Sequence, residues 1–186
     1  MDKKTKVLNV CIIGVLTAFI CVLAPLSVPI GSVPISLTPM VIYLIVYLVG
    51  GVKGTICVTI YLLIGIAGLP VFSGFGSGIG KLAGPTGGYI VGFLFEAAIC
   101  GVALYFGKGK IYWYIPGMIL GTLVLYLFGS AWFMISLHAN FKATMKVCVL
   151  PFLPFDAAKI AIVAIIAPLI KKPLRRIPNM NGVLRF

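Results

Sequence analysis

The chain has 186 residues, 61% of them apolar and 10% charged, with a formal net charge of +12. A soluble domain carries about a quarter charged residues, so the composition excludes one and implies a single all-α polytopic membrane domain over 1–186, with no appended soluble module. The apolar residues form continuous blocks, which excludes an alternating outer-membrane barrel; the basic residues sit in short breaks between blocks, which leaves no extended basic face for nucleic acid.

The chain opens with MDKKTK and then VLNVCIIGVLTAFICVLAP. This has the outline of a signal peptide, but the apolar run is long, no A-x-A site closes it, and more blocks follow. It is read as a retained first helix over 7–24. Gly14 and Ala18 in it are a small-x-x-x-small pair, which lets another helix approach closely. Internal packing and a docking face for a partner subunit both fit.

The next segment, PLSVPIGSVPISLTP, has four prolines and no charge. Proline fixes φ and lacks an N–H, so an extended or turned connection is expected. Apolar blocks follow at 35–50 and 52–68, separated by VGGVKG. Both are shorter than the roughly 20 residues that a crossing helix needs, so they are expected to form a tight hairpin shielded by neighbouring protein.

GLPVFSGFGSGIGKLAGPTGGY then interrupts the oily sequence with glycines and one lysine, Lys81. It lacks the G-x-x-x-x-G-K-[ST] pattern of a phosphate-binding loop and follows no α/β pattern. Glycine permits positive φ and close approach of backbone to a ligand. A re-entrant turn between spans and a ligand-facing loop are compatible readings.

The blocks at 86–106 and 111–137 come next, the latter long enough to tilt. Glu96 lies alone in GFLFEAAICG; protonation, pairing across the bundle or snorkelling would each accommodate it, and structural use is favoured over ligand contact. The third outside connection, HANFKATMKVCVLPFLPF, suggests a short amphipathic helix followed by two prolines. All three outside connections are too apolar for plain loops in water. They are expected to fold down as a lid over an outward-facing pocket.

The last block, 153–170, contains Asp156 and Lys159. A charge near mid-bilayer costs about 3 kcal/mol, so both need partners or a wet cavity. Three residues apart, they share one helix face. Pro154 falls just before or in the first turn of that helix, and the dipole favours Asp156 near its start. A self-neutralised structural pair and a ligand-binding pair remain open.

Cys11, Cys21, Cys57, Cys100 and Cys148 form no C-x-x-C pair and are read as small buried hydrophobes rather than a metal site or disulfides. His138 has no neighbour at ligand spacing and is read as interfacial. No Ser/His/Asp set, metal-protease motif or nucleotide signature occurs. Neither a catalytic site nor a cofactor is expected.

With six spans and a cytoplasmic N-terminus, Lys3, Lys4, Lys6, Lys53, Lys108, Lys110, Lys171, Lys172, Arg175, Arg176 and Arg185 face inward. Lys81, Lys142 and Lys146 face outward. That bias predicts both termini in the cytoplasm.

GLPVFSGFGSGIGKLAGPTGGYIVGF, with VPISL before it and VLPFLPFDAAK after it, resembles the signature of BioY proteins. These are the biotin-specific substrate-binding (S) components of energy-coupling factor transporters, and the likeness covers essentially the whole chain. It implies a six-helix protein of the cell membrane that captures biotin from outside. It also implies partnership with a transmembrane coupling subunit and two cytoplasmic ATPases, which makes Gly14 and Ala18 the docking surface. The family's charged pair in the last span corresponds to Asp156 and Lys159. A carboxylate can accept a ureido N–H, and an ammonium can donate to the ureido oxygen or the valerate carboxylate. Phe72, Phe75 and Tyr89 are candidates to line the apolar part of the pocket, and Lys81 to neutralise the ligand carboxylate. Many relatives have a glutamine near the start of the second span; SLTPM stands there in this chain, which leaves Thr38 to substitute.

Two other functions are alternatives. One is an S component for a different small vitamin; a cationic or phosphorylated ligand would need more acids or more basic residues, whereas one acid with one or two lysines fits an anionic, ureido-bearing molecule. A membrane enzyme acting on a lipid or isoprenoid would need clustered acids on the cytoplasmic side, which the sequence lacks.

Overall fold

A computed structural model describes residues 3–29 and 33–174. Arg175, Arg176 and Arg185, which contribute to the charge bias, lie outside the described residues, as does the centre of the first outside connection.

The described chain is a helical bundle. Helix α1 spans Lys3–Leu23, α2 Thr38–Val49, α3 Gly51–Ile66, α4 Gly78–Ala83, α5 Gly87–Phe106, α6 Ile111–Leu137, α7 Phe141–Cys148 and α8 Phe152–Leu174. Four of them, α1, α5, α6 and α8, are long and apolar enough to cross a membrane. At 1.5 Å per residue, α2 reaches only about 18 Å and α3 about 24 Å. Helix α2 is sheathed, with ten of its twelve residues buried, whereas α3 buries only Gly54, Cys57, Val58, Tyr61 and Gly65 and exposes Val52, Ile56 and Leu63. Gly50, at φ 90°, turns the chain between them and donates its N–H to the Val46 carbonyl. The short hairpin expected from VGGVKG is therefore present, shielded along α2 but open along much of α3.

The α5–α6 hairpin and the α3–α5 crossing are the most extensive contacts between described helices. Gly51 and Gly101 touch backbone to backbone; a Cβ on Gly101 would lie 2.5 Å from the Gly51 Cα. Tyr114 on α6 donates to the Tyr43 carbonyl, and Tyr43 to Thr122, which itself donates to the Met118 carbonyl. These three hydroxyls are thus satisfied within the core.

Helix α8 buries a single stripe, Phe152, Asp156, Lys159, Val163, Ala167 and Lys171. Apolar residues surround this helix on all sides, so hydrophobic periodicity does not mark the stripe; only its polar members do. Helix α1 buries Thr17 and Ile20 and exposes Val7, Val10, Val15, Phe19 and Val22. An apolar surface of that kind suits lipid or a partner helix.

The described parts of the connections at the loop end carry short elements. Ser27–Val28 (β1) pairs antiparallel with Ile35–Ser36 (β2), a short ribbon where the prolines indicated only extended backbone. The glycine stretch contains a single helical turn at Ser73–Phe75 and then α4, so it is more helical than a plain re-entrant turn. Gly74 donates its N–H to the Pro25 carbonyl at 3.1 Å, tying this stretch to the β ribbon. The amphipathic helix expected in the third connection is α7.

Candidate functional site

Asp156 is the fifth residue of α8, one turn beyond its start at Phe152, with Pro154 in the first turn. The dipole effect expected for Asp156 fades beyond the first turn; two side chains hold it instead. Lys159 donates to Oδ1 at 2.7 Å, and Tyr126 of α6 donates to Oδ2 at 2.5 Å. Both members of the ion pair are buried, at 7% and 9% side-chain exposure. Each keeps capacity in reserve: the carboxylate retains lone pairs and the ammonium two further N–H donors.

This cluster lines a cavity that all three connections at this end of the bundle help to close. The first contributes Val33, Pro34 and Ser36; the second Ser73 and Thr86; Phe152 comes from the start of α8. Helices α5 and α6 add Tyr89, Ile90, Phe93, Leu125 and Tyr126. The expected convergence of the loops over a pocket is present. An apolar shell with a few converging polar groups is the usual build of a small-molecule site.

Tyr89 has a second task. Its hydroxyl donates to the Cys148 carbonyl at 2.8 Å, which joins the start of α5 to the end of α7. Phe152 stacks against the same ring, with centroids 6.4 Å apart. Trp132 donates to the Gly84 carbonyl at 3.0 Å and anchors the glycine stretch to α6.

The remaining expected residues lie around the cavity rather than in its lining. Phe72 is fully buried and packs edge-on against Tyr61. Phe75 is exposed, on backbone with φ 58°. Thr38 is buried and accepts a hydrogen bond from Ser36, and it is Ser36 that reaches the cavity. Lys81 is half-buried along Gly76, with its aliphatic stem close to that glycine. Gly14 and Ala18 lie on the exposed side of α1, and a Cβ on Gly14 would meet nothing within 4 Å. No described helix of this chain therefore packs on that pair.

Sequence reasoning missed Tyr126, Ser36, Ser73 and Thr86. Tyr126 could have been suspected, because a hydroxyl inside an apolar helix needs a partner. Glu96 is fully buried, which rules out snorkelling, and among the described residues neither carboxyl oxygen has a hydrogen-bond partner. Cys57, Cys100 and Cys148 are buried as expected, Cys21 is half-buried, but Cys11 is exposed on α1. His138 is exposed and ends α6 in a left-handed conformation. Among the described residues no group of three or more His, Cys, Asp and Glu could hold a metal.

The chain has known relatives in sequence and in fold. A family model described as the BioY family matches residues 1–176. The chain is similar to the biotin transporter BioY of Thermotoga maritima, 36% identical over 86% of this chain and 93% of that protein. It is similar to a probable biotin transporter BioY of Pyrococcus horikoshii, 36% identical over 87% and 95% of the two chains. Against the biotin transporter BioY2 of Lactococcus lactis the identity is 32% over 88% and 90%. The fold matches the crystal structure of the S-component for biotin from an ECF-type ABC transporter with a TM-score of 0.85. That match has 27% identity and covers 100% of both chains.

Proposed function

The chain belongs to the BioY family, and on that premise we propose that it is the substrate-binding subunit of a biotin importer, with the Asp156–Lys159 cavity as the biotin site. It is a multi-pass membrane transporter component and not an enzyme. The observation that carries the site assignment is the buried ion pair with its third partner, Tyr126, in a cavity roofed by three connections.

Burial of opposite charges is a poor way to gain stability, because desolvation offsets much of the Coulomb attraction. The pair makes chemical sense if a ligand uses it. Self-neutralised, it suits the uncharged ureido ring: Asp156 accepts an N–H and Lys159 donates to the carbonyl oxygen. The thiophane ring and the chain then lie against Phe93, Leu125 and Phe152. Ser36, Ser73 and Thr86 offer hydroxyls to the more distant valerate end. Tyr89 holds the roof closed, while Phe72, Phe75, Thr38 and Lys81 support the loops around it.

The wider reading has six crossings, α2 and α3 being the short ones, and both termini in the cytoplasm, as the lysine bias requires. It sets the protein in the cell membrane, where it captures biotin from outside and passes it inward with a coupling subunit and two ATPases. Gly14 and Ala18, on the open side of α1, are the proposed docking surface for the coupling subunit. Mass spectrometry of the ligand that copurifies with the protein tests the substrate assignment. Biotin is expected; a different vitamin would redirect it, and a lipid product would favour the enzyme reading.

A further inference from the structure

A second cavity, of about 560 Å³, runs between α3 and α5. It exists because Gly51 and Gly101 bring the two helix backbones into contact without side chains between them. The flanking residues then form the walls of a trough. On α3 the wall is Val52, Ile56 and Thr59; on α5 it is Ala98, Val102 and Tyr105. Each set is spaced i, i+4, i+7, one stripe of a helix, and covers about 10 Å of rise.

The trough is apolar and faces away from the bundle. Val52, Val102 and Tyr105 are all well exposed, a surface that water would not favour but that acyl chains would cover. Among the residues lining it, the one charged side chain is Lys53, in the first turn of α3. Lys108 and Lys110 follow α5 at that same end. No side chain caps the start of α3.

We propose that this trough binds one acyl chain of an anionic phospholipid, with the headgroup phosphate at Lys53. Charge complementarity selects the headgroup, and width selects the tail. A partner helix with its side chains is about 10–12 Å across and would ride over a slot between two helices in backbone contact rather than enter it. The site is separate in sequence and in lining from the Asp156 cavity.

Native mass spectrometry of the full chain, released from micelles doped with equal phosphatidylglycerol and phosphatidylcholine, tests the proposal. The wild type is expected to retain phosphatidylglycerol about fivefold better, the factor that about 1 kcal/mol per lysine at an anionic headgroup gives. Lys53→Gln should lower the preference for phosphatidylglycerol by about that factor, and Ala98→Trp, which fills the trough, should lose both lipids. Binding at the Asp156 cavity, unchanged in the two variants, reports that they are folded. Equal retention of both lipids by the wild type would overturn the proposal. So would a phosphatidylglycerol adduct unaffected by either substitution, displacement by glycerol phosphate alone, or a dimer mass in place of the lipid adduct.

Discussion

Tyr126 on α6 donates its hydroxyl to Asp156 on α8 at 2.5 Å, thirty residues along the chain. The contact ties the two long helices together at the candidate site and fixes the carboxylate orientation while Lys159 holds its other oxygen. Removing the hydroxyl with Tyr126→Phe keeps the ring and frees Oδ2. A hydrogen bond to a charged group contributes about 1.5–3 kcal/mol, so biotin affinity should fall by roughly tenfold or more, as read by calorimetry. An unchanged affinity would make Tyr126 a packing residue only.

Breaking the ion pair from one side strands the other charge in a buried setting. Lys159→Met or Asp156→Asn alone should destabilise the protein by about 3–5 kcal/mol, seen as a lowered thermal midpoint in detergent. The double variant Asp156→Asn/Lys159→Met leaves no stranded charge and should recover much of that loss. A double-variant midpoint as low as the worse single would show that the two residues do not act as a pair.

Tyr89→Phe removes the bond to the Cys148 carbonyl and loosens the junction between α5 and α7. Burial pushes the Cys148 thiol above its ordinary value, the Tyr89 contact opposing this in part. The reactive thiolate therefore forms only at a pH above that of a free cysteine. Maleimide labelling of Cys148 in a variant lacking Cys11, Cys21, Cys57 and Cys100 should be slow at neutral pH and speed up as pH rises. Tyr89→Phe also removes the contact that favours the thiolate, so the faster labelling of a loosened junction should show at high pH, where the thiol is already ionised, and bound biotin should slow it. Rates indifferent to Tyr89→Phe would separate the tyrosine from closure of the roof.

Two glycines give opposite expectations. Gly101→Leu forces side-chain atoms into the Gly51 backbone and should cost about 1–3 kcal/mol of stability. Gly14 has open space around it, so Gly14→Leu should leave stability and biotin binding intact. On the docking reading it abolishes uptake in cells that carry the coupling module. Uptake at the parental rate would remove Gly14 from the docking surface.

Much of this arrangement was legible in the sequence because membranes leave few choices. Asp156 and Lys159 stood out since a charge in an apolar block has no bland place to go, and three-residue spacing put them on one face. The short α2–α3 hairpin followed from block length, and closure of the pocket from the apolar character of its connections. Side-chain direction inside those connections was not legible. Gly74 and Phe75 both adopt positive φ, and that local turn leaves Ser73 at the cavity and Phe75 exposed. The start of α2 at Thr38 likewise sends Ser36, not Thr38, to the lining. Tyr126 escaped notice because a tyrosine in an apolar block fits packing and interfacial roles equally well.

The central claim, that the Asp156–Lys159 pair grips biotin, is tested most directly by radiolabelled biotin binding to detergent-purified protein. The account predicts tight binding by the parent and its loss in the Asp156→Asn/Lys159→Met variant, with the fold retained. Parental binding no tighter than millimolar, or a double variant that binds as well as the parent, would contradict it.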